Sequence, residues 1–77
     1  MISKHGVVNA GDLRRLQLDR IQWYLLERAP TLLTKQEARD IIKEHFALLD
    51  DLVTLYGIDD SRAWEIAGAT GEIYYKD

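Results

Sequence analysis

Apolar residues recur every three or four positions through two long segments of the chain, which is the spacing of a helix with a buried face. The second segment has the clearer limits. Thr34 and Glu37 form the capping-box pattern at its start, and Gly57 is suited to a left-handed cap at its end. Between them lie Ile41, Ile42, His45, Phe46, Leu49, Leu52, Val53 and Tyr56. The pattern predicts a helix over residues 35–56, with a length of roughly 33 Å.

The first segment also has a recognisable start and end. Asn9 is a favourable N-cap, and Asp12 follows it at the position of a capping-box acid. Pro30 disfavours helical geometry at the residue before it. We therefore predict a helix over residues 10–28, preceded by an N-terminal arm, residues 1–9. The link between the two helices is short, which favours antiparallel packing.

Two short stretches near the C-terminal end alternate apolar and polar residues, which is typical of strands. They are Trp64-Glu65-Ile66-Ala67 and Glu72-Ile73-Tyr74-Tyr75. The loop between them pairs Ile66 with Ile73. It also pairs Trp64 with Tyr75, so all of these apolar side chains share one face. We predict a β-hairpin over residues 63–76 that packs on the helices, because an isolated hairpin is marginal in water.

These elements predict an α+β fold, mainly α, in one domain over residues 1–77: an antiparallel helical hairpin with a C-terminal β-hairpin packed on it. Residues 2–8 are a candidate third strand. The chain has no cysteine, so disulfides and thiolate metal sites are excluded. It has no apolar run of membrane-spanning length, and its N-terminal segment lacks the apolar core of a signal peptide. We therefore expect a cytoplasmic protein with no membrane contact.

The first predicted helix is apolar on more of its circumference than packing against one other helix requires. One stripe consists of Leu18, Ile21 and Leu25. A second stripe consists of Leu13, Leu16, Trp23 and Tyr24, and Leu26 lies between the two on the far side. Two interpretations of the second stripe are open. Either the C-terminal hairpin covers it, or it forms an interface with another protein or a second copy of the chain.

The interface interpretation identifies candidate protein-binding residues that are rich in aromatic side chains, which often anchor interfaces. They are Leu16, Trp23, Tyr24, Leu26, Trp64 and Tyr74. This interpretation predicts a non-enzymatic protein-binding module that acts on a partner protein or by self-association.

We predict no catalytic, metal or cofactor site and no small-molecule substrate. His45 lies within the apolar stripe of the second helix, where a histidine at the edge of the core is expected rather than a general base. At a dimer seam it would respond to pH. The carboxylates of Asp50 and Asp51 point about 100° apart on a helix, so they do not converge on one ligand. Asp59 and Asp60 are expected to be solvated.

The charge is unevenly distributed along the chain. Residues 1–45 hold eight Lys or Arg and six Asp or Glu, a net charge of +2. Residues 46–77 hold two and seven, a net charge of −5. The basic half supports an alternative function as a small nucleic-acid-binding or transcription-regulatory protein, although acidic residues interleave with the arginines. The acidic half is either a solvated surface or a docking face for a basic partner.

The last third of the chain resembles part of a known class of proteins. Its segment Trp64-Glu65-Ile66-Ala67-Gly68-Ala69-Thr70-Gly71-Glu72-Ile73-Tyr74 follows a long helix that ends in Leu55-Tyr56-Gly57. This arrangement is similar to that of short accessory proteins of actinobacterial bacteriophages. The resemblance implies a protein that binds host or phage proteins in the host cytoplasm. It identifies no functional residue.

Overall fold

The computed structural model describes residues 2–77. In chain order the elements are β1 (Ser3–Val7), α1 (Ala10–Arg28), a 3₁₀ turn (Pro30–Leu32), α2 (Lys35–Tyr56), β2 (Trp64–Ile66) and β3 (Glu72–Tyr75). The helices pack as a hairpin, and the antiparallel sheet has the strand order β1-β3-β2. The predicted α+β class, mainly α, is confirmed, with a third strand from the N-terminal arm. Neither helix in this part of the chain is long and apolar enough to cross a membrane.

Local capping interactions define the ends of both helices. The Asn9 side chain accepts a hydrogen bond from the Asp12 backbone N–H at the start of α1. At the start of α2, the Glu37 N–H donates to Thr34 Oγ1 (3.1 Å) and the Thr34 N–H donates to Glu37 Oε1 (3.0 Å). Gly57 ends α2 in the left-handed region, with φ of 60°. Both helices therefore have the bounds that their capping signals predict.

The capping box of α2 gives a stability prediction. Thr34→Ala should lower the free energy of unfolding by about 1 kcal/mol, because the orphan N–H at the helix start loses its side-chain acceptor. The midpoint of urea denaturation measures this change. Thr31→Ala, the same substitution at an exposed site in the 3₁₀ turn, is the control and should leave the midpoint unchanged. Equal midpoints for the two variants would contradict the role of the box.

The sheet has the predicted hairpin register. Trp64 pairs with Tyr75, and Ile66 pairs with Ile73. β1 pairs with the other side of β3 and is interrupted by an irregularity between Lys4 and Gly6. β3 is therefore the central strand, with backbone partners on both sides. Its alternating residues Ile73 and Tyr75 are buried against the helices.

The core lies where the sheet covers the first half of α1 and the second half of α2. Its buried residues are Val8, Leu16, Leu48, Leu52, Ile58, Ile66, Ile73 and Tyr75. Two side chains of α1 bind the β-hairpin formed by β2 and β3 and keep it at this position. Gln17 Nε2 donates to the Gly68 carbonyl (2.9 Å), and Arg20 Nη2 donates to the Ile66 carbonyl. The sheet is short, so the other end of the helix pair extends beyond it.

Tyr56 joins three elements at the sheet end of the helix pair. Its hydroxyl donates to Asp12 Oδ2 (2.6 Å) and accepts from the Asn9 backbone N–H (2.9 Å). Its carbonyl oxygen lies 2.7 Å from Nε2 of His5 on β1. Burial raises the pKa of Tyr56, and the hydrogen bond to Asp12 raises it further. These contacts fix the end of α2 against the start of α1.

Candidate protein-binding surface

The structure buries part of the second apolar stripe of α1 and leaves most of the first stripe exposed. Leu16 is in the core, and Trp23 is half-buried against α2. Leu18, Ile21 and Tyr24, by contrast, are 55%, 65% and 63% exposed. Together with half-buried Leu25, these residues form what we call the outer stripe. The C-terminal β-hairpin thus covers part of the second stripe, while no element within residues 2–77 covers Leu18 and Ile21 of the first stripe.

Leu16 requires a correction to the predicted surface. It is buried because α2 and the sheet both pack on this part of α1, so it is not available to a partner. Leu26 is half-buried. Trp23 is half-buried because its ring stacks on the imidazole of His45, with ring centroids 4.2 Å apart. Of the predicted residues on α1, only Tyr24 is exposed, at 63%.

The two predicted residues in the sheet lie apart from the outer stripe. Trp64 packs against the core, and its Nε1 donates to Asp60 Oδ1 (2.9 Å). Tyr74 alternates with the buried residues of β3, so it lies on the outer face of the sheet, where its hydroxyl donates to the Glu72 carboxylate. The six predicted residues are therefore not brought together into one patch.

A groove between α1 and α2 runs beside the outer stripe. It consists of two adjoining open depressions of about 350 and 290 Å³ that share Gln22 and Glu44. The lining residues on α1 are Arg15, Leu18, Asp19, Gln22 and Leu25, and those on α2 are Glu37, Asp40, Ile41, Glu44, Ala47 and Leu48, with Leu33 at one end. Apolar side chains of both helices form much of the lining, and carboxylates of α2 border it.

The α2 side of the groove is acidic. Glu37, Asp40 and Glu44 follow one another at helical spacing, and we call them the acidic ridge. None of the three forms an ion pair within residues 2–77. Hydrogen bonds from Thr34, first from its backbone N–H, lower the pKa of Glu37. The ridge therefore presents three carboxylates that pair with no cationic side chain of the described residues, and Asp40 accepts a hydrogen bond from Gln36 Nε2.

The outer stripe has an arginine at each end. Arg14 and Arg28 are exposed and continue the helical row of Leu18, Ile21 and Leu25 in both directions. In the described part of the chain neither arginine forms an ion pair, and the Arg28 guanidinium carbon lies 5.5 Å from the centre of the Tyr24 ring. Arg15, by contrast, faces α2 and pairs with Asp51 at 3.0 Å. The exposed row of α1 is thus apolar in the middle and basic at both ends, and the acidic ridge of α2 borders the groove beside it.

A buried carboxylate lies on the interior side of α1. Asp19, only 7% exposed, is 2.7 Å through Oδ2 from Nδ1 of His45, and the rings of Trp23 and Phe46 contact the same imidazole. An acid that orients a histidine occurs in catalytic sites, but such sites also need a nucleophile in reach. Within residues 2–77, the imidazole of His45 has the Asp19 carboxylate as its only hydrogen-bond partner. The geometry is that of a packed interhelical contact.

Sequence reasoning missed this pair because its members lie on different helices. A signal was present, however. Asp19 comes three residues after Leu16 and four before Trp23, so a charged residue occupies a position in the apolar stripe that packs inward. Buried charges are normally paired, and the histidine in the apolar stripe of α2 is a natural partner.

The described residues contain no group of three or more His, Asp or Glu side chains placed to hold a metal ion. Comparison of the chain with known protein families, with curated proteins and with solved structures finds no match. A functional assignment therefore rests on the exposed face of α1 and its neighbouring groove.

Proposed function

We propose that this chain is a non-enzymatic protein-binding module that acts through the outer stripe of α1. The observation that carries the proposal is the exposure of Leu18, Ile21 and Tyr24, each by more than half, in a row along two turns of one helix. Contiguous exposed apolar patches are typical of protein interaction sites. The partner is a host or phage protein or a second copy of the chain, and the site of action is the cytoplasm, of the host if a phage encodes the protein.

Burial of the outer stripe supplies a driving force for association. Full burial of a large apolar side chain contributes about 1.5–3 kcal/mol, and part of this contribution is unused while Leu18, Ile21 and Tyr24 face water. The stripe lies on a regular helix, so little conformational entropy is lost when a partner covers it. Its one aromatic residue, Tyr24, is of a type enriched in binding hot spots.

The placement of the arginines favours protein binding over nucleic-acid binding. A nucleic-acid-binding face needs several cations directed to one side. Here Arg15 pairs with Asp51, and Arg20 donates to a backbone carbonyl of the sheet. Arg14 and Arg28 lie at the two ends of an apolar row, and the acidic ridge lies beside that row across the groove. A phosphate backbone laid on this face would meet carboxylates as well as arginines.

A surface substitution tests the proposed function. We expect Ile21→Glu to abolish both capture of a partner from lysate of the native host and self-association, because it introduces a charge into the centre of the outer stripe. Leu32→Glu is the matched control, since Leu32 is 73% exposed in the 3₁₀ turn, and it should retain both. Circular dichroism should show that both variants are folded. If the wild type neither captures a protein nor self-associates, or if Ile21→Glu behaves as the wild type, protein binding through this stripe is wrong.

A further inference from the structure

We propose that the groove between α1 and α2 binds a basic amphipathic helix of a partner protein, with the apolar face of that helix against the groove lining and its lysines or arginines against the acidic ridge. Leu18 and Leu25 of the outer stripe line this groove. The inference names the class of partner for the surface described above, and it therefore rests on the proposed function.

The charged residues that line the groove determine the charge of the partner. Two of the five have partners within the chain. Arg15 pairs with Asp51 at 3.0 Å, and Asp19 lies 2.7 Å from His45. The other three form the acidic ridge, and none of them makes an ion pair within residues 2–77. A partner in the groove therefore meets unpaired carboxylates along α2, and cations on that partner complement them.

Apolar side chains of both helices supply the contact area of the groove. Leu18 and Leu25 line it from α1, and Ile41, Ala47 and Leu48 line it from α2. Leu18 is 55% exposed, so a partner that covers it removes apolar surface from water. Burial of such surface favours association. The partner therefore needs an apolar face beside its cations.

The backbone of the groove walls favours a helix over an extended segment. Both walls are α-helices, and their backbone groups are hydrogen-bonded within each helix along this length. An extended peptide that binds by strand addition needs free backbone groups on its partner, whereas a helix satisfies its own. Along α2 the groove extends from Glu37 to Leu48, a length of roughly 17 Å or about three helical turns.

The spacing of the acidic ridge determines where the cations of the partner lie. Glu37 and Glu44 are seven residues apart on one side of α2, with Asp40 between them. Lysines or arginines at three-residue and four-residue spacing on the partner helix lie at the same intervals. Two carboxylates of the ridge already have fixed positions. Glu37 accepts from the Thr34 N–H (3.0 Å), and Asp40 accepts from Gln36 Nε2 (2.9 Å).

Titration with a synthetic peptide, followed by fluorescence anisotropy, tests the inference. The probe is a dye-labelled peptide of about 18 residues, long enough to form a helix. It has leucines along one face, lysines beside them at three-residue and four-residue spacing, and alanine elsewhere. We expect the wild type to bind it with a dissociation constant in the micromolar range. A peptide with glutamate in place of every lysine should bind at least about tenfold more weakly, because like charges then face each other.

Reversal of the ridge charges locates the binding site. Asp40→Lys and Glu44→Lys should each weaken binding of the lysine peptide by about tenfold or more, and the double variant should bind the glutamate peptide instead. Asp50→Lys is the matched control, because it changes the net charge equally at an exposed position of α2 outside the groove lining. It should bind the lysine peptide as the wild type does. Circular dichroism should show that all variants are folded.

A third peptide separates docking in the groove from charge attraction alone. It has the composition of the lysine peptide, but its leucines are distributed around the helix. It should bind at least about tenfold more weakly, because it has no apolar face to cover the groove lining. Equal binding of the two peptides would overturn the inference, since the acidic ridge would then attract any cation.

The outcomes separate this inference from the broader function. A wild type that does not bind the lysine peptide, or equal weakening by Asp50→Lys and Glu44→Lys, overturns the basic helix as partner. Protein binding through the outer stripe still stands if the wild type captures a protein from lysate and Ile21→Glu does not. Self-association that excludes the lysine peptide and that Glu44→Lys abolishes would assign the groove to a second copy, which also overturns the inference.

Discussion

Ile73→Ala should lower the free energy of unfolding by about 3–4 kcal/mol, which is most of the stability expected for a chain of this size. Ile73 is fully buried at the centre of β3, where it packs in the same core as Leu16 of α1 and Leu52 of α2. Loss of its side chain leaves a cavity between the sheet and both helices, and the short strands can close it only in part. Urea denaturation followed by circular dichroism measures the effect.

The same substitution at Ile21 is the control for this prediction. Ile21 is 65% exposed, so Ile21→Ala should change the free energy of unfolding by no more than about 0.5 kcal/mol. The two isoleucines would thus respond very differently to one chemical change, because one is core and the other is surface. Similar losses of stability in both variants would show that the outer stripe is covered within the folded chain, which would contradict its assignment as a binding surface.

His45→Ala should lower the free energy of unfolding by about 2–3 kcal/mol, the second largest effect we expect. The substitution removes the hydrogen-bond partner of the buried Asp19 carboxylate and leaves a charge in the interior without compensation. It also removes the ring on which Trp23 stacks. Thermal and urea denaturation of the variant give the loss directly, and near-ultraviolet circular dichroism reports the changed environment of Trp23.

A double-mutant cycle separates the Asp19 contact from the general loss of packing. Asp19→Ala removes the buried charge itself, so adding it to His45→Ala should recover part of the lost stability, and the two losses should not add. Additive losses would mean that the carboxylate and the imidazole do not interact in the folded protein. A His45→Ala variant as stable as the wild type would place Asp19 in contact with water.

The position of Trp23 shows why the two interpretations of α1 could not be separated from the sequence. The sheet covers the level of Leu16, but the helix extends beyond the three short strands. Trp23 lies past the sheet and is half-buried by His45 of α2 instead. Neither a fully covered stripe nor a fully open one describes the molecule. Which residues of the stripe are buried depends on how far the sheet reaches along the helix, and strand length alone does not determine that.

The structure changes which residues of the predicted surface are open to a partner. The excess of apolar positions on α1 is evident in the sequence, and it correctly indicates that one stripe lacks a partner in a two-helix hairpin. Aromatic content then favoured the stripe with Trp23 and Leu16 as the interface. The structure instead exposes Leu18 and Ile21, because Asp19 directs one side of the helix to α2, and Gln17 and Arg20 direct a second side to the sheet.

The helix limits and the hairpin register were determined by the sequence itself, because they depend on neighbouring residues. Thr34 reaches Glu37 within one turn, Gly57 adopts its left-handed conformation locally, and the loop before Glu72 pairs Ile66 with Ile73. Only the tertiary structure decided which side of α1 is buried, that Asp19 meets His45 and that β1 joins β3. These contacts join residues that are far apart in the chain, and α1 is apolar on both sides, so its local pattern fits either orientation. The contacts of α1 with α2 and with the sheet together determine which side of α1 is buried. No single segment of the sequence contains all of these contacts.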